Sequence, residues 1–183
     1  MRIDIETGWL EGVRRLDSPN CDERPAGCEP DLIVIHGISL PPGEFGGTGI
    51  DELFSNTLDP NAHPYYREIC HLRVSSHALI SRRGEITQYV SFGRRAWHAG
   101  ESNYCGREAC NDFSVGIELE GTDDCAYETV QYERLAQLVR TLRRSYASLQ
   151  RAEIVGHSEI APGRKTDPGP SFDWDALEAL LAS

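Results

Sequence analysis

Apolar residues along this chain gather into short runs set apart by turn-forming stretches, and the period of each run predicts its element. Leu32-Ile33-Val34-Ile35 is β-branched and does not alternate, the pattern of a strand buried on both faces, and it ends at His36-Gly37. Ser114 to Glu120 does alternate. Val115, Ile117 and Leu119 fall on one face of this strand, and Ser114, Gly116, Glu118 and Glu120 on the other. Val74 to Ile80 and Glu85 to Val90 flank Arg83-Gly84 and read as a hairpin, while Ile154-Val155-Gly156 predicts a last short strand ending at His157. Leu135, Leu138, Val139 and Leu142 keep helical spacing, which predicts the main amphipathic helix from Glu128 to about Tyr146. A short helical stretch at Ile50 to Phe54 and a closing helix from Asp173, its N-cap, to Leu181 complete the elements. Residues 17–31 read as an irregular arm, and the glycine-rich residues 37–49 as a loop, with more loop through Pro64. The order predicts a mixed α/β fold in which a central mixed sheet is flanked by helices. With no repeat or long linker, residues 1–183 are expected to form a single domain.

Charge narrows the partners. A formal net charge of -11 argues against nucleic acid, whose phosphates reward basic patches, and against docking on an anionic polymer such as an intact bacterial wall. It suits a small soluble substrate. Met1-Arg2-Ile3-Asp4-Ile5-Glu6 carries acids where a signal peptide carries bases, and no apolar run reaches membrane-spanning length. The expectation is a cytoplasmic protein with no membrane partner, and nothing points beyond a monomer. Six cysteines are present without a Cys-x-x-Cys pair. Reduced thiols are therefore expected rather than a disulfide framework or a structural zinc site.

The chemistry concentrates between Gly156 and Pro170. His157, Lys165 and Asp167 stand within eleven residues of a loop rich in proline and glycine, which suits aiming side chains into a cleft. His36 also follows a short apolar strand beside a glycine. If the two strands are neighbours, both imidazoles reach the same rim and the loop can return Asp167. Two histidines and one carboxylate with one position left open is the ligand set of a catalytic zinc site. Taken singly, each histidine reads better as a satisfied polar residue; Asp167 and Lys165 together turn the balance. Glu118 is costly as an inward carboxylate unless it has a charged partner, and the small Gly116 before it opens room above the strand for a substrate. Either residue also fits a plain surface reading, Glu118 as a solvent-facing strand position and Lys165 as a solvated charge. His77 and His98 are each placed to face the cleft, and His63 and His71 are expected to be structural.

Several stretches together resemble the type-2 N-acetylmuramoyl-L-alanine amidases, in particular the cytoplasmic zinc amidases that recycle cell-wall muropeptides in Gram-negative bacteria. They are His36 with Ile38 to Gly47, Asp59 to Tyr65, Arg95 to Gly100, Cys110 to Thr122, and the Gly156–Pro170 loop. The resemblance runs from about Trp9 to Trp174. It implies that His36, His157 and Asp167 hold one zinc ion, that Glu118 is the catalytic acid/base and that Lys165 stabilises the transition state. It further implies that Arg73 and Trp97 help line a muropeptide cleft, and that the substrate is an anhydro-N-acetylmuramoyl peptide cut between the lactyl carbonyl and L-alanine. Gly37 stands where relatives often carry Asn, and Ala109 where some carry Arg. Two other readings stay in view. One is a non-catalytic muropeptide-binding module of the same fold, against which Asp167 speaks. The other is a nucleophilic cysteine, for which no thiol lies beside an obvious base.

Overall fold

The β-branched run at residue 32 and the alternating run at residue 114 become the two central strands of the molecule, which a computed structural model describes over residues 1–182. Leu32–Ile38 lies between Glu153–Gly156 and Ser114–Glu120, parallel to both. Ser114–Glu120 runs parallel to Ala78–Ile80 on its other side; the hairpin partner Ile86–Gln88 and then Arg14–Arg15 extend the six-stranded sheet. The sheet is mixed, as expected. His36 is inside its strand, however, which continues through Gly37 to Ile38 because Ser114–Glu120 supplies a pairing partner for every one of its residues.

Alternation then sorts the side chains. Ile33, Ile35, Val115, Ile117, Leu119, Ala78 and Ile80 join one core with Leu135, Leu138, Val139 and Leu142 of the long helix Thr129–Ser145. That helix starts on a capping box, in which Glu128 accepts from the backbone of Gln131 and the Gln131 side chain accepts from Glu128 N–H. The closing helix Trp174–Ala182 packs on the same face, with Asp173 Oδ1 accepting from Ala176 N–H at 2.9 Å. The opposite face carries two separate apolar clusters. Leu32 and Val34 meet Phe113, Val155 and Ile160, whereas Leu79 meets Leu40, Ile50, Phe54 and Tyr89. The strip between these clusters holds His36, Glu118 and His98, so the polar residues occupy the gap in the apolar lining.

Two short helices fall where the sequence predicts loop, His157–Ile160 and Pro64–Ile69. Pro64–Ile69 is helical, with Pro64 in the first turn and the His63 ring capping Tyr65 N–H at 3.1 Å. Proline at the first helical position is favourable because its missing N–H had no partner in the helix anyway. His63 therefore has the structural role expected of it. All six cysteines are free thiols. Burial pushes the Cys21 and Cys110 thiols up, which disfavours a nucleophilic thiolate.

Candidate metal centre and catalytic cleft

Register makes the site. In the parallel pair, Glu118 lies directly beside His36, with Leu79 on its other flank. The next strand over ends at Gly156, opposite Ile35, and the chain turns there into the one-turn helix His157–Ile160. This sets His157 alongside His36. The loop after that helix folds back, and Ser158 N–H donates to the Asp167 carbonyl at 3.0 Å, so the Asp167 side chain returns over both rings.

Three donor atoms converge there. His36 Nδ1 and His157 Nδ1 are 2.9 Å apart, and Asp167 Oδ2 stands 3.2 Å from the first and 3.0 Å from the second. Ligand atoms bonded tetrahedrally to zinc at about 2.0–2.1 Å lie about 3.3 Å from one another, so these separations fit a single ion of that size. The donor chemistry fits as well. His157 Nε2 faces the Ala99 carbonyl at 3.2 Å, and since a carbonyl only accepts, the ring proton belongs on Nε2 and Nδ1 presents a lone pair. Burial pushes the His36 imidazole down to about 4, which keeps it neutral and able to ligate at pH 7. Among the described residues, these three form a group able to hold a metal ion.

Glu118 sits next to this centre, 7% exposed, with no hydrogen-bond partner for Oε2. Burial first, and then the Asp167 carboxylate, push its carboxyl well above the ordinary carboxylate range, while Lys165 pulls the other way. A carboxyl with a raised affinity for protons and a free oxygen is equipped to move one. Lys165 is exposed on the returning loop and lines the same cavity, of about 570 Å³, as His36, His98, Glu118, His157 and Asp167. Leu40, Leu53, Leu72 and Val74 supply its apolar wall.

Several expectations change here. Gly116 does not open room for a substrate: a Cβ there would stand 2.4 Å from His98 Cγ, so the space is filled by the His98 ring. His77 turns away from the cleft; its Nδ1 accepts from Gly116 N–H at 3.0 Å and its Nε2 donates to the Arg94 carbonyl at 3.0 Å. Glu120, on the Glu118 face, is buried and accepts from the backbone N–H groups of Gly46 and Arg82, tying the glycine-rich loop to the sheet. Arg73 is exposed, its guanidinium folded onto the carbonyls of Cys70, His71 and Leu72, and the Trp97 indole donates to Asp22. Both lie beside residues of the cavity wall without belonging to it. The sequence reading also missed Tyr127, whose hydroxyl donates to the Pro168 carbonyl at 3.0 Å. A Cβ at Gly37 would stand 2.3 Å from that hydroxyl, so the glycine leaves room for the tyrosine that pins the Asp167 loop.

Buried neutral imidazoles make the fold sensitive to acid. Burial pushes His77 down to about 3, His36 to about 4 and His98 well below its ordinary value. The unfolded chain takes up these protons first as pH falls, so the stability is fully present above about pH 6.5 and is lost toward pH 4. Each histidine contributes a slope of up to about 1.4 kcal/mol per pH unit. Urea unfolding midpoints of the metal-free protein should therefore fall sharply between pH 7.5 and 5.5; equal midpoints would contradict the neutral burial.

Comparison with known proteins agrees with this geometry. The family model described as N-acetylmuramoyl-L-alanine amidase matches residues 26–170. The 1,6-anhydro-N-acetylmuramyl-L-alanine amidase AmpD of Salmonella typhimurium is 60% identical, over 97% of this chain and 94% of its own. A crystal structure of a selenomethionine derivative of AmpD superposes with a TM-score of 0.95, at 58% identity over 99% of both chains. The E. coli amidase AmiD, in complex with anhydro-N-acetylmuramic acid-L-Ala-D-gamma-Glu-L-Lys, superposes with a TM-score of 0.59 at 28% identity, covering 86% of this chain and 60% of its own. Since the matched segment takes in the His36 strand, the Glu118 strand, the His157 helix and the Asp167 loop, this chain belongs to the N-acetylmuramoyl-L-alanine amidases.

Proposed function

We propose that the protein hydrolyses the amide between the lactyl group of (1,6-anhydro-)N-acetylmuramic acid and L-alanine in muropeptides, with one zinc ion held by His36, His157 and Asp167. The observation that carries this reading is the convergence of three ligand atoms beside a buried carboxyl with a free oxygen, in a cleft of substrate size. Zinc, when bound, supplies Lewis acidity toward the scissile carbonyl and lowers the pKa of a water to roughly 7. Glu118 takes a proton from the attacking water and delivers it to the departing L-alanine nitrogen, since an amide nitrogen leaves only as an amine. Lys165 meets the charge that develops on the carbonyl oxygen, a contribution for which a single donor is typically worth about 10²–10³ in rate. Leu72 and Val74 receive apolar parts of the substrate, and their neighbour Arg73, together with Trp97 beside His98, serves as a contact at the rim of the cleft.

Residues 1–183 work as one zinc amidase domain, as a monomer in the cytoplasm. No helix among the described residues is long and apolar enough to cross a membrane, and the net charge of -11 suits a released fragment better than an intact wall. The test is mass spectrometry of a muropeptide digest with and without a chelator. Free peptide and free anhydro-sugar should appear, and the chelator should abolish both. Cleavage elsewhere in the peptide, or cleavage indifferent to the chelator, would overturn the assignment.

A further inference from the structure

His36 touches a second imidazole on the side away from the converging ligand atoms, and this contact is part of a longer chain. His36 Nε2 lies 2.9 Å from His98 Nδ1, His98 Nε2 lies 3.1 Å from Ser114 Oγ, and Ser114 Oγ donates to the Cys110 carbonyl at 2.5 Å. We infer that His98 is a positioning residue for His36: through this chain it sets which nitrogen of the His36 ring is bare and faces Asp167 and His157. The inference rests on the metal reading above and deepens it.

The direction of the chain follows from its far end. A backbone carbonyl can only accept, so the single hydroxyl proton of Ser114 is committed to Cys110. Ser114 Oγ then has only lone pairs for His98, and His98 Nε2 must carry that ring's proton. A neutral imidazole has one N–H, so His98 Nδ1 is bare and accepts from His36 Nε2–H. His36 is left with a bare Nδ1, the atom that stands 2.9 Å from His157 Nδ1 and 3.2 Å from Asp167 Oδ2. His157 reaches the same state in one step, through the Ala99 carbonyl. One short segment thus backs both rings, His36 through a side chain and His157 through the next residue's carbonyl.

The surroundings fix that segment. Asn111 Oδ1 accepts from His98 N–H at 3.0 Å and from Ala99 N–H at 2.8 Å, which holds the His98 ring and the Ala99 carbonyl in one orientation. The bare Cα of Gly116 lets the His98 ring lie against the Glu118 strand, where any Cβ would collide with it. The ring is buried, 8% exposed, and packs edge-on against His36 with centroids 5.0 Å apart.

Two substitutions separate positioning from mere filling. His98→Phe fills the space and has no acceptor; His98→Asn leaves a gap but can set an amide oxygen near the former Nδ1. Zinc affinity, read by competition with a chromophoric chelator, should fall about 10–100-fold in His98→Phe, the usual cost of losing an outer partner of a metal-bound histidine. His98→Asn should recover most of that loss. If Phe binds zinc better than Asn, the ring only fills space and the inference is wrong. A second readout needs no metal. Long-range proton–nitrogen correlation spectra of the metal-free, full-length protein should show His36 protonated at Nε2, with Ser114→Ala producing a mixture of tautomers. A His36 ring protonated at Nδ1 in the parent protein would overturn the chain even if zinc binds as proposed. Normal Nε2 protonation in a protein that binds no zinc would instead sink the metal reading alone.

Discussion

Glu118→Gln should lower turnover by about 10²–10⁴-fold while zinc content and fold are retained. The amide has nearly the shape of the carboxyl it replaces, and the parent Oε2 has no partner whose loss could disturb the packing. What disappears is the ability to take up a proton and release it again. The same substitution should stabilise the metal-free protein. Burial and the nearby Asp167 hold the Glu118 carboxyl well above the ordinary range, so the folded state keeps a proton that the unfolded chain gives up once pH exceeds about 4.3. Folding above that pH is therefore penalised in the parent and not in the variant. Urea midpoints with chelator present should be higher for Glu118→Gln at pH 7.5, and kcat should drop in the same preparation. A variant with near-parental kcat removes Glu118 from the chemistry, whatever its stability.

Asp167→Asn should have the larger effect on the metal. In the proposed ligand set Asp167 would supply the negative charge, and its Oδ2 closes the triangle with two nitrogens only 2.9 Å apart. An asparagine presents a neutral oxygen or an NH₂ group that cannot ligate. The loss of zinc affinity should exceed the 10–100-fold typical of an outer hydrogen-bond partner. Hydrolysis should become undetectable at ordinary zinc concentrations, while the apolar wall of Leu40, Leu53, Leu72 and Val74, which is left intact, should still bind muropeptide. Elemental analysis together with calorimetric titration checks both parts. One tightly held zinc per chain in the variant would mean that the ligand set is wrong. Loss of muropeptide binding along with zinc would mean that the metal, rather than the cleft wall, anchors the substrate.

The parts of this protein that could be read from sequence are those governed by local period. Alternation in Ser114–Glu120 put Glu118 on the face opposite Val115, Ile117 and Leu119, and the structure keeps it there because those three pack under the long helix. The unalternating run before His36 belongs to a strand covered on both faces. What escaped was whatever depends on a distant partner. Gly116 looks like an opening in the sequence, and only the fold shows that a ring from eighteen residues upstream fills it. Gly37 gives no hint of Tyr127, ninety residues on. The six-residue helix Pro64–Ile69 carries two tyrosines and too few turns for a helical period to show, and its visible clue was the proline after a capping His63. His77 and His98 looked alike from their neighbours, yet one ended behind the Glu118 strand and the other behind His36.

The lateral pairing of His36 with Glu118 has a mechanical consequence. Their separation is set by the spacing of hydrogen-bonded strands, about 4.7–4.9 Å, and by no hinge or closing loop. A slip of one residue would throw either side chain to the opposite face, so small errors of alignment are not available to the pair. The proposed ligand and the proposed proton carrier therefore travel as one rigid body through the loop fluctuations around them. Heating should leave His36 and Glu118 side by side until the central strands themselves separate, so any earlier loss of activity should come from the loop that carries Lys165 and Asp167.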